Sequence, residues 1–191
     1  MYNPIRSCLK VSAMALAVLM PLNTVPSMAA SKAEIDRDAN AALQTLCNNN
    51  IMAKALAEKA EGILVFPSIL KAGFIVGGEG GNGALFKHGK TVGYYNIAAA
   101  SFGLQIGVEN FGYTMFFMND AALEYLDKSK GWEVGSGTTL VIVDKETVAA
   151  FSNNMTTSTL KDDIYAFVFS QEGLMAGVGL QGSKITRIHP K

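Results

Sequence analysis

Lys71-Ala72-Gly73-Phe74-Ile75-Val76-Gly77-Gly78-Glu79-Gly80-Gly81-Asn82-Gly83-Ala84-Leu85-Phe86-Lys87-His88-Gly89-Lys90 is the stretch on which the fold class turns. Glycine costs about 0.5–1 kcal/mol relative to alanine inside a helix or strand, so this density has to be offset by turns, bulges or close backbone approach. Between the glycines stand short runs of apolar and aromatic residues, the pattern of a tightly turned antiparallel sheet. All nineteen glycines of the 191-residue chain lie between Gly62 and Gly182. The part before Gly62 is free to be helical and the part after it reads mostly as strand. Gly78-Glu79-Gly80-Gly81-Asn82-Gly83 also fits the dinucleotide pattern G-x-G-x-x-G. That motif needs a helix to open directly behind it. Here Ala84-Leu85-Phe86-Lys87 reads as strand, and a glutamate inside the loop would repel phosphate, so the segment is expected to be a hairpin loop or bulge.

Upstream, Ser31-Lys32-Ala33-Glu34 has the S-x-x-E form of a capping box. Ile35, Ala39, Ala42, Leu43 and Leu46 follow at helical spacing. Asn50 is placed to cap a second helix over 51–60, stopped by Gly62. Each apolar stripe is expected to pack on the domain's own core. Downstream, strands are expected at 63–66, ended by Pro67, and at 72–77, 84–87, 91–96, 102–109, 111–118, 139–143, 165–169, 174–180 and 184–188. His88-Gly89-Lys90 forms a hairpin turn, and a helix over 119–128 is capped by Asn119 or Asp120. Alternation places Phe111, Tyr113, Met115 and Phe117 on one strand face.

The first thirty residues carry Arg6 and Lys10, an apolar run from Val11 to Met20, a helix-breaking stretch from Pro21 and the small residues Ala29 and Ala30. This is the layout of a cleaved secretory signal peptide, so the expectation is a single domain over 31–191 in the periplasm. Removal of Arg6 and Lys10 leaves fourteen basic residues against sixteen acidic. A slightly acidic chain lacks the basic stripe that nucleic acid calls for. Removal of Cys8 leaves Cys47 alone, expected as a buried, inert thiol on a helix.

Catalytic chemistry finds few candidates. H-E-x-x-H, C-x-x-C and G-x-S-x-G are all missing from the sequence. His88 and His189 read as surface residues, and Asp36, Asp38 and Asp162-Asp163 as solvated charge. Gly89-Lys90-Thr91 is the tail of a P-loop without its leading glycine, hence a turn. No motif calls for a metal or cofactor, and an enzyme is not expected.

Three stretches carry a resemblance: Lys59-Ala60-Glu61-Gly62-Ile63-Leu64-Val65-Phe66-Pro67 running into Lys71-Ala72-Gly73-Phe74; Ser101-Phe102-Gly103-Leu104-Gln105-Ile106-Gly107; and Phe167 to Gln171 with Gly173 to Ser183. Together they resemble the SYLF-domain family, specifically its bacterial branch with signal peptides. The resemblance implies a lipid-binding domain without a cofactor. In eukaryotic members lipid binding goes with a basic amphipathic first helix. Here residues 31–47 offer Lys32 and Arg37 against Glu34, Asp36 and Asp38, so the expected ligand is lipid in general, or another apolar envelope component, rather than a phosphoinositide.

The expected fold is α+β: a strongly curved antiparallel sheet, closed or nearly closed into a barrel, with the N-terminal helices and one further helix packed on it. Two functions from different classes follow. One is an exported, non-enzymatic lipid-binding protein of the bacterial cell envelope with possible association to the membrane surface. The other is a structural module binding a protein partner with no lipid. An interior cavity would favour the first and a filled core with an exposed apolar patch the second. Lipid is expected to meet Phe66, Ile69, Leu70 and Phe74, placed around a surface turn at Pro67, and the aromatic face of Phe111, Tyr113, Met115 and Phe117.

Overall fold

The structure, a computed structural model, describes residues 30–73, 76–102, 107–128, 131–134, 136–144, 147–149, 161–173 and 183–191. The leader expected at the N-terminus (apart from Ala30), the strand expected at 174–180 and Phe74 lie outside the described residues.

Helix α1 (Lys32–Asn49) starts on the expected capping box: the Ser31 hydroxyl accepts from the Glu34 N–H at 3.3 Å, and the Glu34 carboxylate accepts from the Ser31 N–H at 2.8 Å. These hydrogen bonds hold the Glu34 carboxyl below its ordinary pKa. Asn50 ends α1 and caps α2 (Ile51–Ala57), accepting from the Ala53 N–H at 3.0 Å.

An eight-stranded sheet follows, ordered β5-β8-β3-β2-β1-β4-β7-β6. Its strands are β1 (Gly62–Gly73), β2 (Val76–Lys87), β3 (Lys90–Phe102), β4 (Gly107–Phe117), β5 (Trp132–Glu133), β6 (Leu140–Ile142), β7 (Ile164–Gly173) and β8 (Lys184–Ile188). Helix α3 (Asp120–Lys128) lies between β4 and β5 in the chain, with Asn119 as its cap accepting from the Ala122 N–H at 2.9 Å. The sheet is strongly curled into a half-barrel, and it is open rather than closed. Trp132, on one edge strand, meets the ring of Phe117 five places away in the strand order, their centroids 6.1 Å apart. That contact is possible only if the sheet bends around the face both residues share. The α+β expectation therefore holds, with one departure in pairing: β6 runs parallel to β7, the other ladders being antiparallel.

The interior face packs Leu64, Phe66, Ile69, Phe111, Tyr113, Met115 and Phe117 against Leu123 and Leu126 of α3, Trp132 and Ile185. The outer face carries α1 and α2: Ile35 and Ala39 sit over Val65, Ala84 and Phe86, while Leu46, Met52 and Leu56 sit over Phe116, Tyr165 and Phe167. Asp36, expected as solvated charge, instead fastens α1 to β3 by accepting from the hydroxyls of Thr91 at 2.8 Å and Tyr94 at 2.9 Å. Asp163 is likewise structural. It accepts from the Asn119 amide at 2.8 Å and from the Thr139 N–H and hydroxyl at 3.0 Å, and these bonds lower its pKa. Cys47 is a half-buried free thiol whose pKa is raised by burial.

Two boundaries differ from the sequence expectation for one physical reason. Pro67 does not end a strand. The ladder to β4 steps from Phe66↔Tyr113 to Ile69↔Phe111, three residues against two, and the ladder to β2 from Val65↔Ala84 to Leu70↔Gly80, five against four. β1 thus carries a bulge of one extra residue, and proline, which has no N–H to give, sits within it between the last and first registered pairs. The glycine-rich segment is not a loop either: it forms the body of β2, paired residue by residue with β3. A Cβ at Gly81 would lie 2.4 Å from the Ser68 carbonyl oxygen, and one at Gly83 2.3 Å from that of Val65. Those two glycines make room for the bulge. The expected break between strands near Asn110 is also replaced, by a register shift within β4. The hairpin at His88-Gly89 is as expected, both residues having positive φ (49° and 73°), as a two-residue turn requires.

Candidate functional site

The bulge decides which expected lipid-contact residues face outward. A one-residue slip exchanges the two faces of a strand, so Phe66 and Ile69, three apart, both point inward. Phe66 and Ile69 are 0 % exposed, whereas Leu70 is 54 % exposed. The surface loop expected after Pro67 is therefore corrected: Ile69 and Leu70 are strand residues on opposite faces. Phe111, Tyr113, Met115 and Phe117 do share one face as expected, and it is the packed interior.

Leu70 belongs to an uncovered part of the outer face. Beyond the residues that α1 covers, two cross-strand rows continue across four strands: Asn110–Leu70–Gly80–Ala98 and Val108–Ala72–Gly78–Ala100. Val108 is 58 % exposed, and Ala72, Gly78, Ala98 and Ala100 are exposed too. Gly78 and Gly80 are not forced by packing, since an added Cβ would meet nothing closer than a neighbouring carbonyl oxygen at 3.6 Å. The result is a smooth, largely apolar sheet surface at the end remote from the helices, bordered by exposed Lys184, which pairs with Ala98. The sequence offered a signal for Val108 that was passed over: in Gly107-Val108-Glu109-Asn110-Phe111 the alternation that turns Phe111 inward turns Val108 outward.

On the inner face of the same end runs a polar row. Lys71 pairs with Glu79 on one side and with Glu109 on the other. Ser183, just before β8, donates to Glu79 Oε1 at 2.7 Å. Lys71 is 6 %, Glu109 3 % and Ser183 0 % exposed, while Glu79 is half-buried. Two rungs deeper stands Tyr113, whose phenol is pushed up in pKa by burial and by the charge of Glu79. A separate apolar groove of about 540 Å³ runs beside the helices, lined by Leu46, Val143, Val148, Phe167, Val168 and Phe169 among others. Both histidines lie exposed at the surface. Among the described residues no three His, Cys, Asp or Glu side chains are grouped to hold a metal, and no helix is long and apolar enough to cross a membrane.

Residues 98–189, from β3 through β8, match a family model described as Las17-binding protein actin regulator, Ysc84, the SYLF domain. No curated protein matches the chain.

Proposed function

We propose that this chain, which belongs to the SYLF-domain family, is an exported, non-enzymatic lipid-binding protein of the bacterial cell envelope that meets the membrane with the bare end of its sheet. Family membership gives the broad role, a binding module. The carrying observation is the uncovered outer surface around Leu70 and Val108. A sheet face left to solvent is ordinarily polar and alternates with the buried one. Here the exposed positions are Leu, Val, Ala and Gly over four adjacent strands, the composition of a surface meant to be covered. A slightly acidic chain has little electrostatic pull toward anionic lipid, so apolar contact has to supply most of the affinity, at about 25 cal/mol per Å² covered. Phe66, Ile69, Phe111, Tyr113, Met115 and Phe117 serve this reading as the packed interior that keeps the outer face in place.

A second reading has its own observation. The interior is occupied by side chains and the apolar surface lies outside, the combination expected of a module that docks a protein partner on its sheet. Native mass spectrometry of the protein taken from its own envelope separates the two. Co-purified lipid that is absent from a Leu70→Asp variant of equal stability supports the lipid reading. A stoichiometric protein partner with no lipid replaces it.

A further inference from the structure

At the end of the molecule opposite the bare rows, a small cavity of about 230 Å³ collects basic side chains from distant parts of the chain. Lys32 comes from the start of α1, Arg187 from β8 and His189 from just beyond it, and they face the first residues of β3. Arg187 is fixed on three sides. It donates to Asp127 at 3.4 Å and to the Val92 carbonyl oxygen at 3.2 Å, and its guanidinium lies 5.9 Å from the centroid of the Tyr95 ring. Gly93 leaves the room for this, since a Cβ there would meet the Tyr95 ring at 3.1 Å and the Arg187 guanidinium at 3.4 Å. A guanidinium has five N–H groups, so two engaged within the protein leave three for a ligand. The carboxylates nearby already have donors of their own: Asp36 accepts from Thr91 and Tyr94, Asp127 from Tyr95 and Arg187, and Glu34 from Ser31. Lys32 and His189 take part in none of the ion pairs among the described residues, which are Arg37–Asp38, Lys128–Glu124 and Arg187–Asp127.

We propose that this cavity binds a phosphate group, with Arg187 holding two of its oxygens and Lys32 and His189 the others. An anchored guanidinium offers paired N–H groups to two oxygens at once, and an ammonium on a flexible stem adds a point charge to a third. A carboxylate has two oxygens, both taken by the fork of Arg187, and would leave Lys32 and His189 nothing to hold. A tetrahedral anion uses all three. The cavity has the share of roughly eight waters, room for a phosphate and part of its hydration or for a small organic group attached to it. Val92 at the cavity and Ala98 on the bare rows are six residues apart on β3, about 20 Å at roughly 3.3 Å per residue. A chain seated on a bilayer by its bare end therefore turns the cavity to the aqueous side, where the ligand is a soluble phosphate or phosphomonoester and not a lipid headgroup. The phosphate assignment stands apart from the lipid reading above; only the choice of a soluble source rests on it.

The test titrates inorganic phosphate into the purified full chain at constant ionic strength, following the N–H signals of Lys32, Gly93 and Arg187. Saturable shifts are expected with phosphate and not with chloride. Lys32→Gln removes an exposed charge and Arg187→Lys keeps the charge but loses the fork; each is expected to weaken binding about fivefold to tenfold. Lys32→Gln is expected to leave the melting temperature unchanged, so a loss of binding in it reports on the site and not on the fold. Lys184→Gln, also on β8 and exposed, is the control for general attraction of anions and is expected to bind as wild type does. Equal weakening by Lys32→Gln and Lys184→Gln overturns the site in favour of diffuse charge. A second arm compares phosphatidylcholine vesicles with and without phosphatidic acid. A preference for phosphatidic acid that Lys32→Gln abolishes overturns the soluble source and keeps the phosphate site. Neither saturable shifts nor such a preference overturns the site altogether, and leaves the lipid reading of the bare end standing.

Discussion

Leu70 and Ile69 are neighbours in sequence and similar in chemistry, yet the bulge gives them opposite roles. Ile69→Asp puts a carboxylate into a fully buried site and is expected to unfold the protein or cost more than about 4 kcal/mol, read by chemical denaturation. Leu70→Asp is expected to change stability by less than about 0.5 kcal/mol. Asp163 allows a test by pH. Its folded-state pKa lies below the ordinary value because Asn119 and Thr139 donate to the carboxylate. The stability it adds is therefore present above the unfolded carboxylate pKa and is lost as pH falls through the lower folded value. Asp163→Ala should destabilise the protein at neutral pH by about 1–2 kcal/mol, and the gap between wild type and variant should close in acid melts. A gap independent of pH would contradict that reading.

At the scale of elements, β1 and β2 form one device. The bulge at Pro67 pushes the β1 backbone toward β2, and Gly81 and Gly83 accept it. Gly83→Ala is expected to cost about 2–3 kcal/mol, because the new methyl meets a backbone oxygen that cannot swing away. Gly80→Ala, half-buried and with nothing nearer a new Cβ than the Ile97 carbonyl oxygen at 3.6 Å, is expected to be neutral to within about 0.5 kcal/mol. Equal costs at the two sites would remove the bulge from the account. This pair also shows what the sequence could and could not disclose. The capping box at Ser31, the double use of Asn50 and the His88-Gly89 turn are local codes, readable because the residues that satisfy each other are at most three or four apart. The aromatic stripe from Phe111 to Phe117 was legible for the same reason, since alternation alone fixes its face. The bulge was not, because a proline inside a strand is tolerated only by virtue of ladders to β2 and β4, tens of residues away. The error at Pro67 then carried Ile69 and Leu70 into a loop they do not form. The polar row was equally hidden, as Lys71, Glu79, Glu109 and Ser183 meet only through the register of five strands.

On the scale of the whole molecule, the helices cover the outer face of the half-barrel at one end and leave it bare at the other. The account is therefore that the membrane is met at the bare end, by the apolar outer rows. Export is part of it: sequencing of the protein recovered from the periplasm is expected to begin at Ala30 or Ser31, and a chain beginning at Met1 in the cytoplasm would withdraw the envelope from the proposal. The central claim is tested most directly by vesicle flotation of four proteins: wild type, Leu70→Asp, Val108→Asp and the control Ile142→Asp. Ile142 is 48 % exposed on β6, away from the bare rows. The account predicts that wild type and Ile142→Asp float with the vesicles while Leu70→Asp and Val108→Asp, with unchanged melting temperatures, stay at the bottom. Flotation of all four alike, or loss only in Ile142→Asp, would contradict it.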